Sequence, residues 1–127
     1  MNGTKIVLDT CAAILILKGE LELSSLSIDI ARVLRYISVI TRMELKAKRT
    51  MKPEEEHAIN NFIADVSVFP LDDKVEQKAI ELRRNTSLKL PDSIVAATAI
   101  VLDAILLTND YRLLNLSWPG LKTQYIA

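Results

Sequence analysis

Short runs that are apolar at nearly every position constrain this chain more than any other feature. Ile6-Val7-Leu8 and Ile105-Leu106-Leu107-Thr108 show no alternation of polar and apolar residues, so a strand built from either is covered on both faces, as in a parallel sheet flanked by helices. Asp9-Thr10 ends the first run, and a helical segment from Cys11 to Leu17 follows until Lys18-Gly19 stops it. Tyr36-Ile37-Ser38-Val39-Ile40 has strand propensity and runs straight into Thr41-Arg42-Met43-Glu44. That tetrad reads as a capping box, with Thr41 the N-cap and Glu44 the third helical residue.

The remainder continues the alternation. Between Glu20 and Leu34 the pattern is mixed, and the spacing of Ile30, Val33 and Leu34 predicts a helix over its second half. Pro53 with Glu54, Glu55 and Glu56 starts a helix that ends near Asp65, its buried stripe being Ala58, Ile59, Phe62 and Ile63. Val66 to Pro70 reads as a third strand, and Asp72 or Asp73 caps a helix carrying Val75, Ala79 and Leu82 inward. Pro91 opens a helix from Asp92 to Leu102 that is apolar on nearly every side and belongs in the interior. After the strand at Ile105 to Thr108, Asn109-Asp110 turns into a short helix, and Thr123 to Ile126 offers a weak fifth strand beyond the Pro119-Gly120 turn. Strands alternating with helices indicate an α/β architecture with a parallel sheet covered on both sides.

Half of the 127 residues are apolar, enough for one core, so a single domain over residues 1–127 is expected. The 16 basic and 16 acidic residues cancel. No net field advertises a polyanionic partner, and any nucleic-acid contact must rest on a local patch. The one cysteine, Cys11, has neither a disulfide partner nor a CxxC neighbour, which points to a reducing compartment, the cytoplasm. The longest largely apolar stretch, Ile94 to Leu107, contains Asp103 and is shorter than the roughly 20 residues of a bilayer span. Asp9 interrupts the apolar opening at Lys5 to Leu8, so neither a membrane span nor a signal peptide is expected.

In an open parallel sheet, ligands bind beyond the carboxyl ends of the strands, near a switch in strand order. Asp9 follows the first strand, Glu44 stands in the helix after the second, Asp110 follows the fourth, and Asp92 opens a helix that starts at the same end. Two readings stay open. Acids are favoured at helix N-termini for capping and dipole reasons alone, and position does not separate these four from Asp72 and Asp73, which follow the third strand. If the four do converge on one cleft, their repulsion raises their pKa values unless a cation neutralises them. Oxygen-only ligands would then favour Mg²⁺ or Mn²⁺ over zinc, and such ions serve phosphoryl chemistry.

Four segments in chain order carry a family resemblance: Ile6-Val7-Leu8-Asp9-Thr10, Ile37 to Leu45, Leu88 to Ala99 and Leu107-Thr108-Asn109-Asp110. Together they resemble the PIN-domain family, and specifically the VapC-type toxins of bacterial and archaeal toxin-antitoxin pairs. The resemblance spans essentially the whole chain, and Leu90 to Ala99 is its most specific part. It implies a three-layer α/β/α fold around a central, mostly parallel sheet of four to five strands. It also implies metal-dependent endoribonuclease activity with Mg²⁺ or Mn²⁺, a homodimer, and a small antitoxin that inserts a segment into the active-site groove. By motif position Asp9, Glu44 and Asp92 match the family's three core acids and Asp110 the fourth, more variable one. Thr10 and Thr108 match hydroxyl positions that support the first acid or the metal's waters. Two alternatives accompany the toxin reading: a housekeeping RNA-processing PIN nuclease, and a PIN-like scaffold that binds RNA or protein without cutting. The intact set of acids argues against the scaffold.

Other residues leave more room. Arg42, Lys46 and Arg49 recur at helical spacing beside Glu44 and read equally well as a phosphate-backbone track and as a solvated helix face. Arg83, Arg84 and Lys89 precede Asp92 and suit RNA or an acidic antitoxin alike. His57 stands alone on a charged helix and is expected to be exposed, with no catalytic part. Cys11, lacking a neighbouring base, is expected to be a small buried apolar residue. Trp118 and Tyr125 could stack on bases, but closing the core or a dimer surface is the expectation. Receiver domains and haloacid-dehalogenase-type phosphatases share such a sheet, yet Asp9-Thr10-Cys11 supplies neither the paired acids nor the second aspartate they need.

Overall fold

The computed structural model describes residues 4–22 and 32–126. In chain order they form β1 (Thr4–Leu8), α1 (Thr10–Leu17), β2 (Val33–Ser38), α2 (Val39–Lys46), α3 (Pro53–Asp65) and β3 (Ser67–Phe69). Then come α4 (Asp73–Asn85), α5 (Leu90–Leu102), β4 (Ile105–Thr108), α6 (Tyr111–Leu114) and β5 (Lys122–Tyr125). The strands make one five-stranded sheet in the order β3-β2-β1-β4-β5, and every pairing is parallel. The chain lays β2 and β3 outward on one side of β1, then returns to lay β4 and β5 on the other. Strand order therefore reverses between β1 and β4, where the following loops part and leave a crevice.

Alternate residues of the apolar strands serve opposite faces. Val7 and Leu106 pack with Val75, Ala79 and Leu82 of α4 and with Val95, Ala96 and Ala99 of α5. Ile6, Leu8, Ile37 and Leu107 pack with Ala12 of α1, and Phe62 and Ile63 of α3 close over them. The result is three layers, with α4 and α5 on one face and α1 and α3 on the other. In α5 every residue from Ser93 to Ala99 is buried, which fits a helix with no polar side. Its two hydroxyls, Ser93 and Thr98, donate to the carbonyls of Lys89 and Ile94 four residues back at 3.0 and 2.8 Å. Among the described residues no helix is long and apolar enough to cross a membrane.

Three local expectations are corrected. Val33 and Leu34 belong to β2, paired in register with Thr4 and Lys5 of β1, so sheet pairing overrides their helical spacing; the part of that expected helix before Arg32 lies outside the described residues. The second strand ends at Ser38, not Ile40, because Ser38 is itself the cap: its Oγ accepts from the Ile40 amide at 3.1 Å. Thr41 is then the third residue of α2 and fully buried, and Glu44 lies in mid-helix, released from any capping role. Finally, the stripe of α3 is only partly covered. Phe62 and Ile63 reach the core, but Ala58 and Ile59 line an open groove of about 650 Å³ together with Ile14, Leu17 and Leu45.

Candidate active site

Each acid singled out in the sequence is delivered by a different stretch of backbone to the carboxyl edge of the sheet. Asp9 is the residue after β1 and the N-cap of α1, where its Oδ1 accepts from the Ala12 amide at 2.8 Å. Asp110 stands two residues after β4 and caps α6, its Oδ1 accepting from the Arg112 amide at 2.9 Å. Asp92 is the third residue of α5 and Glu44 the sixth of α2, and neither is a cap. All four line one cleft of about 440 Å³, shared with Thr10, Cys11, Val95, Asn109 and Arg112. Asp72 also caps a helix, accepting from the Val75 amide at 2.9 Å. It follows edge strand β3 and is not part of this lining.

The cleft carries strain of an electrostatic kind. Asp9 is only 7% exposed, and burial pushes its carboxyl above the usual range, with Asp110 and Asp92 adding to the push while Thr108 and the Ala12 amide oppose it. Asp92 is likewise raised by burial, eased by Arg112 and Lys89, and pushed up further by Asp110 and Glu44. Asp110 is held low, chiefly by its hydrogen bonds from Arg112. Two carboxyls of the cleft thus resist ionising, and the third ionises against a guanidinium.

Hydroxyls brace the acids. Thr10 donates to Glu44 Oε1 at 2.5 Å and lies 3.3 Å from the Thr41 hydroxyl. Thr108 Oγ1 accepts from the Asp110 amide at 3.0 Å, which fixes the loop that carries Asp110.

Arg112 is the residue that the sequence pattern did not single out. Its Nη2 reaches Asp110 Oδ2 at 2.9 Å and Asp92 Oδ2 at 3.3 Å, so one guanidinium bridges two of the acids. An arginine two residues beyond the last acid, at the start of a short helix, was the available signal. Cys11 also departs from expectation: it lies half-buried in the cleft wall, and its thiol is pushed up by burial and by the charge of Asp9. The basic residues of α2 go elsewhere. Residues two apart on a helix lie on opposite sides, so with Glu44 turned to the cleft, Arg42 and Lys46 emerge on the far face, exposed. Lys89, the N-cap of α5, is close enough to Asp92 to ease its charge. His57 is exposed on α3, and Trp118 is half-buried against the core.

The donor set fits a hard divalent cation. Its oxygen donors are four carboxylates, the Thr10 hydroxyl and the Asn109 amide, it holds no imidazole, and its one thiol is kept protonated. Among the described residues no three side chains yet converge tightly enough to grip an ion. Arg112 stands between Asp92 and Asp110, and Glu44 is held by Thr10.

The PIN-domain family model matches residues 6–119. No curated protein matches the sequence. Solved structures with the same fold include VapBC2 from Rickettsia felis bound to a DNA fragment from its promoter, 17% identical with a TM-score of 0.78, covering 98% of this chain and 100% of that one. DNA-bound VapBC from Salmonella typhimurium is 23% identical with a TM-score of 0.78, covering 96% and 98%. VapBC-5 from Mycobacterium tuberculosis, a member of the VapBC family of toxin-antitoxin systems, is 21% identical with a TM-score of 0.68, covering 97% and 98%.

Proposed function

Because the chain belongs to the PIN-domain family, we propose that it is a divalent-metal-dependent endoribonuclease, the toxin half of a toxin-antitoxin pair, acting in the cytoplasm as a homodimer of one-domain subunits. One observation carries this reading: Asp9, Glu44, Asp92 and Asp110 line a single cleft at the strand-order switch, while the otherwise similar cap Asp72 does not. Acids serving only as helix caps would have no reason to meet.

In this reading Asp9, Glu44 and Asp92 hold Mg²⁺ or Mn²⁺, directly or through water, and Asp110 assists. When bound, the ion acidifies water and offsets the charge that builds on a phosphodiester during hydrolysis. The chain itself does the positioning. Helix caps fix Asp9 and Asp110, the Thr10 hydroxyl orients Glu44, and the Thr108 hydroxyl anchors the Asp110 loop. Lys89 and Arg112 are the cations placed to meet RNA phosphates beside the acids. Arg42, Lys46 and Arg49, exposed on and after α2, remain candidates for contacts farther along the RNA or with the antitoxin.

The partner reading has its own support. The groove lined by Ile14, Leu17, Leu45, Ala58 and Ile59 is large and apolar, and Glu44 lines both it and the acidic cleft. An antitoxin segment seated in that groove ends beside the catalytic acids, which is where an inhibitor must act.

The test is hydrolysis of RNA by the purified chain with Mg²⁺, with Mn²⁺ and with EDTA, alongside Asp9→Asn. Cleavage should require the ion and the Asp9 carboxylate; equal cleavage by both proteins ends the reading. Growth arrest on expression, relieved by a small neighbouring gene, separates a toxin from a housekeeping nuclease.

A further inference from the structure

Of the six aromatic side chains in this protein, four rest against the core: Tyr36 and Phe69, edge to face with centroids 6.5 Å apart, and Phe62 and Trp118. The other two are in the open. Tyr111 is 63% exposed and Tyr125 49%. They come from different elements yet lie against each other, with ring centroids 5.8 Å apart and planes inclined by 27°.

Their position is set by the same backbone that builds the acidic cleft. Tyr111 is joined directly to Asp110 and opens α6. Tyr125 ends β5 in register with Thr108, the last residue of β4. Both rings therefore stand at the carboxyl edge of the sheet, on the β4-β5 side of the cleft, whereas α2 flanks it from the other side.

We infer that Tyr111 and Tyr125 form a stacking platform that holds a base of single-stranded RNA next to the scissile phosphate. The inference rests on the ribonuclease reading and deepens it. A chain with no net charge has no global field to draw RNA, and carboxylates line its cleft. Stacking needs no charge, because every base offers a π-face. Each tyrosine braces the other while remaining exposed, so the platform is already ordered before RNA arrives. A paired base has both faces occupied by its neighbours in the helix, so the platform selects single strands and loops. A second copy of this chain is the rival occupant, since exposed aromatic surface also suits a subunit interface.

The experiment measures binding of a labelled single-stranded oligoribonucleotide to the full chain carrying Asp9→Asn, which prevents cutting. Replacing both rings, Tyr111→Ala with Tyr125→Ala, should weaken binding by roughly tenfold or more. The factor should be alike at low and high salt, because no phosphate contact is lost. The Tyr111→Phe with Tyr125→Phe pair should bind like the parent. On the chain with Asp9 restored, the alanine pair should raise KM for cleavage and leave kcat nearly unchanged. An abasic nucleotide moved along the oligonucleotide should reduce binding to the unaltered rings at one position; uniform binding along the scan overturns the platform. So does alanine-pair binding equal to the parent's, or a loss of binding that accompanies conversion of a dimer to a monomer in sedimentation. If the chain with Asp9 neither binds nor cuts RNA, the ribonuclease reading falls and takes the platform with it. If it cuts and the alanine pair behaves identically, only the platform falls.

Discussion

Asp9 and Asp72 are the same device in two places. Each follows a strand, adopts extended backbone, caps the next helix, and accepts from the amide three residues on, at 2.8 and 2.9 Å respectively. They differ in what surrounds the second half of the carboxyl group. β1 is the middle strand and lies beside the switch, so Asp9 is buried and faces Asp92 and Asp110. β3 is an edge strand, and Asp72 stands exposed, outside the acidic cleft. Local sequence specifies a cap; the order of strands decides whether the cap also lines the cleft.

Substituting asparagine at both positions is the strongest way to break that comparison. Asparagine caps a helix about as well as aspartate, so neither change should disturb the fold. Loss even of groups that only support metal ligands commonly costs 10- to 100-fold. Asp9→Asn should therefore lower RNA hydrolysis by at least about a hundredfold, and Asp72→Asn should leave it unchanged. Comparable losses in an assay of initial rates would mean that the two caps are alike after all.

Divalent ions and pH sharpen the comparison at the level of stability. Asp9 and Asp92 have folded-state pKa values above their ordinary ones. Without a cation, their contribution is therefore greatest in acid and is lost as pH rises from about 4 through those raised values. Asp110, held low by Arg112, works the other way, its contribution being lost as pH falls below the ordinary carboxylate range. In EDTA, melting across pH 4–7 should give Asp9→Asn a flatter loss of Tm toward neutral pH than the parent. Mg²⁺ or Mn²⁺ at about a hundred times Kd should stabilise the parent near pH 7 by about 2.7 kcal/mol, a rise in Tm of roughly 10 °C. Asp72→Asn should keep that rise and Asp9→Asn should lose most of it.

Where the sequence could be read, a local signal and the tertiary structure agreed. α3 begins at Pro53 before three glutamates and β4 runs from Ile105 to Thr108, as expected, because proline, dipole and unbroken hydrophobicity all act within a few residues. Val33 and Leu34 have helical spacing yet form a strand, because their strand state comes from pairing with Thr4 and Lys5, which no local spacing records. The Thr41 box was displaced by Ser38, an equally good cap that coincides with the end of pairing to β3 at Phe69. Of the candidate site, the four acids were expected from position and family resemblance and line one cleft, but their separation from Asp72 needed the strand order. Arg112 was illegible because its role depends on Asp92, 20 residues away in sequence.

The two caps should also differ when they are removed outright. Asp72→Ala should cost about 1 kcal/mol in urea unfolding, the ordinary value for a lost N-cap. Asp9→Ala loses an equivalent cap but also removes a carboxyl whose ionisation is opposed by burial and by two neighbouring acids. Without divalent ions it should therefore cost less than Asp72→Ala; with them the order should reverse, since only Asp9 is then holding a ligand.

The smallest effect concerns the cation that stands among the acids of the cleft. Arg112 bridges Asp92 and Asp110, so a metal ion entering the cleft competes with a charge already there. Arg112→Ala removes the competitor but not the ligands, and Mn²⁺ binding followed by calorimetry should tighten. Exposed ion pairs are weak, and Arg112 is half exposed, which limits the gain to roughly two- to fivefold. RNA cleavage at saturating Mn²⁺ should fall in the same variant, because a cation facing the phosphates is lost while the ion is held more tightly. Weaker Mn²⁺ binding by Arg112→Ala would instead make the arginine an organiser of the acids, and the bridge a support for the site.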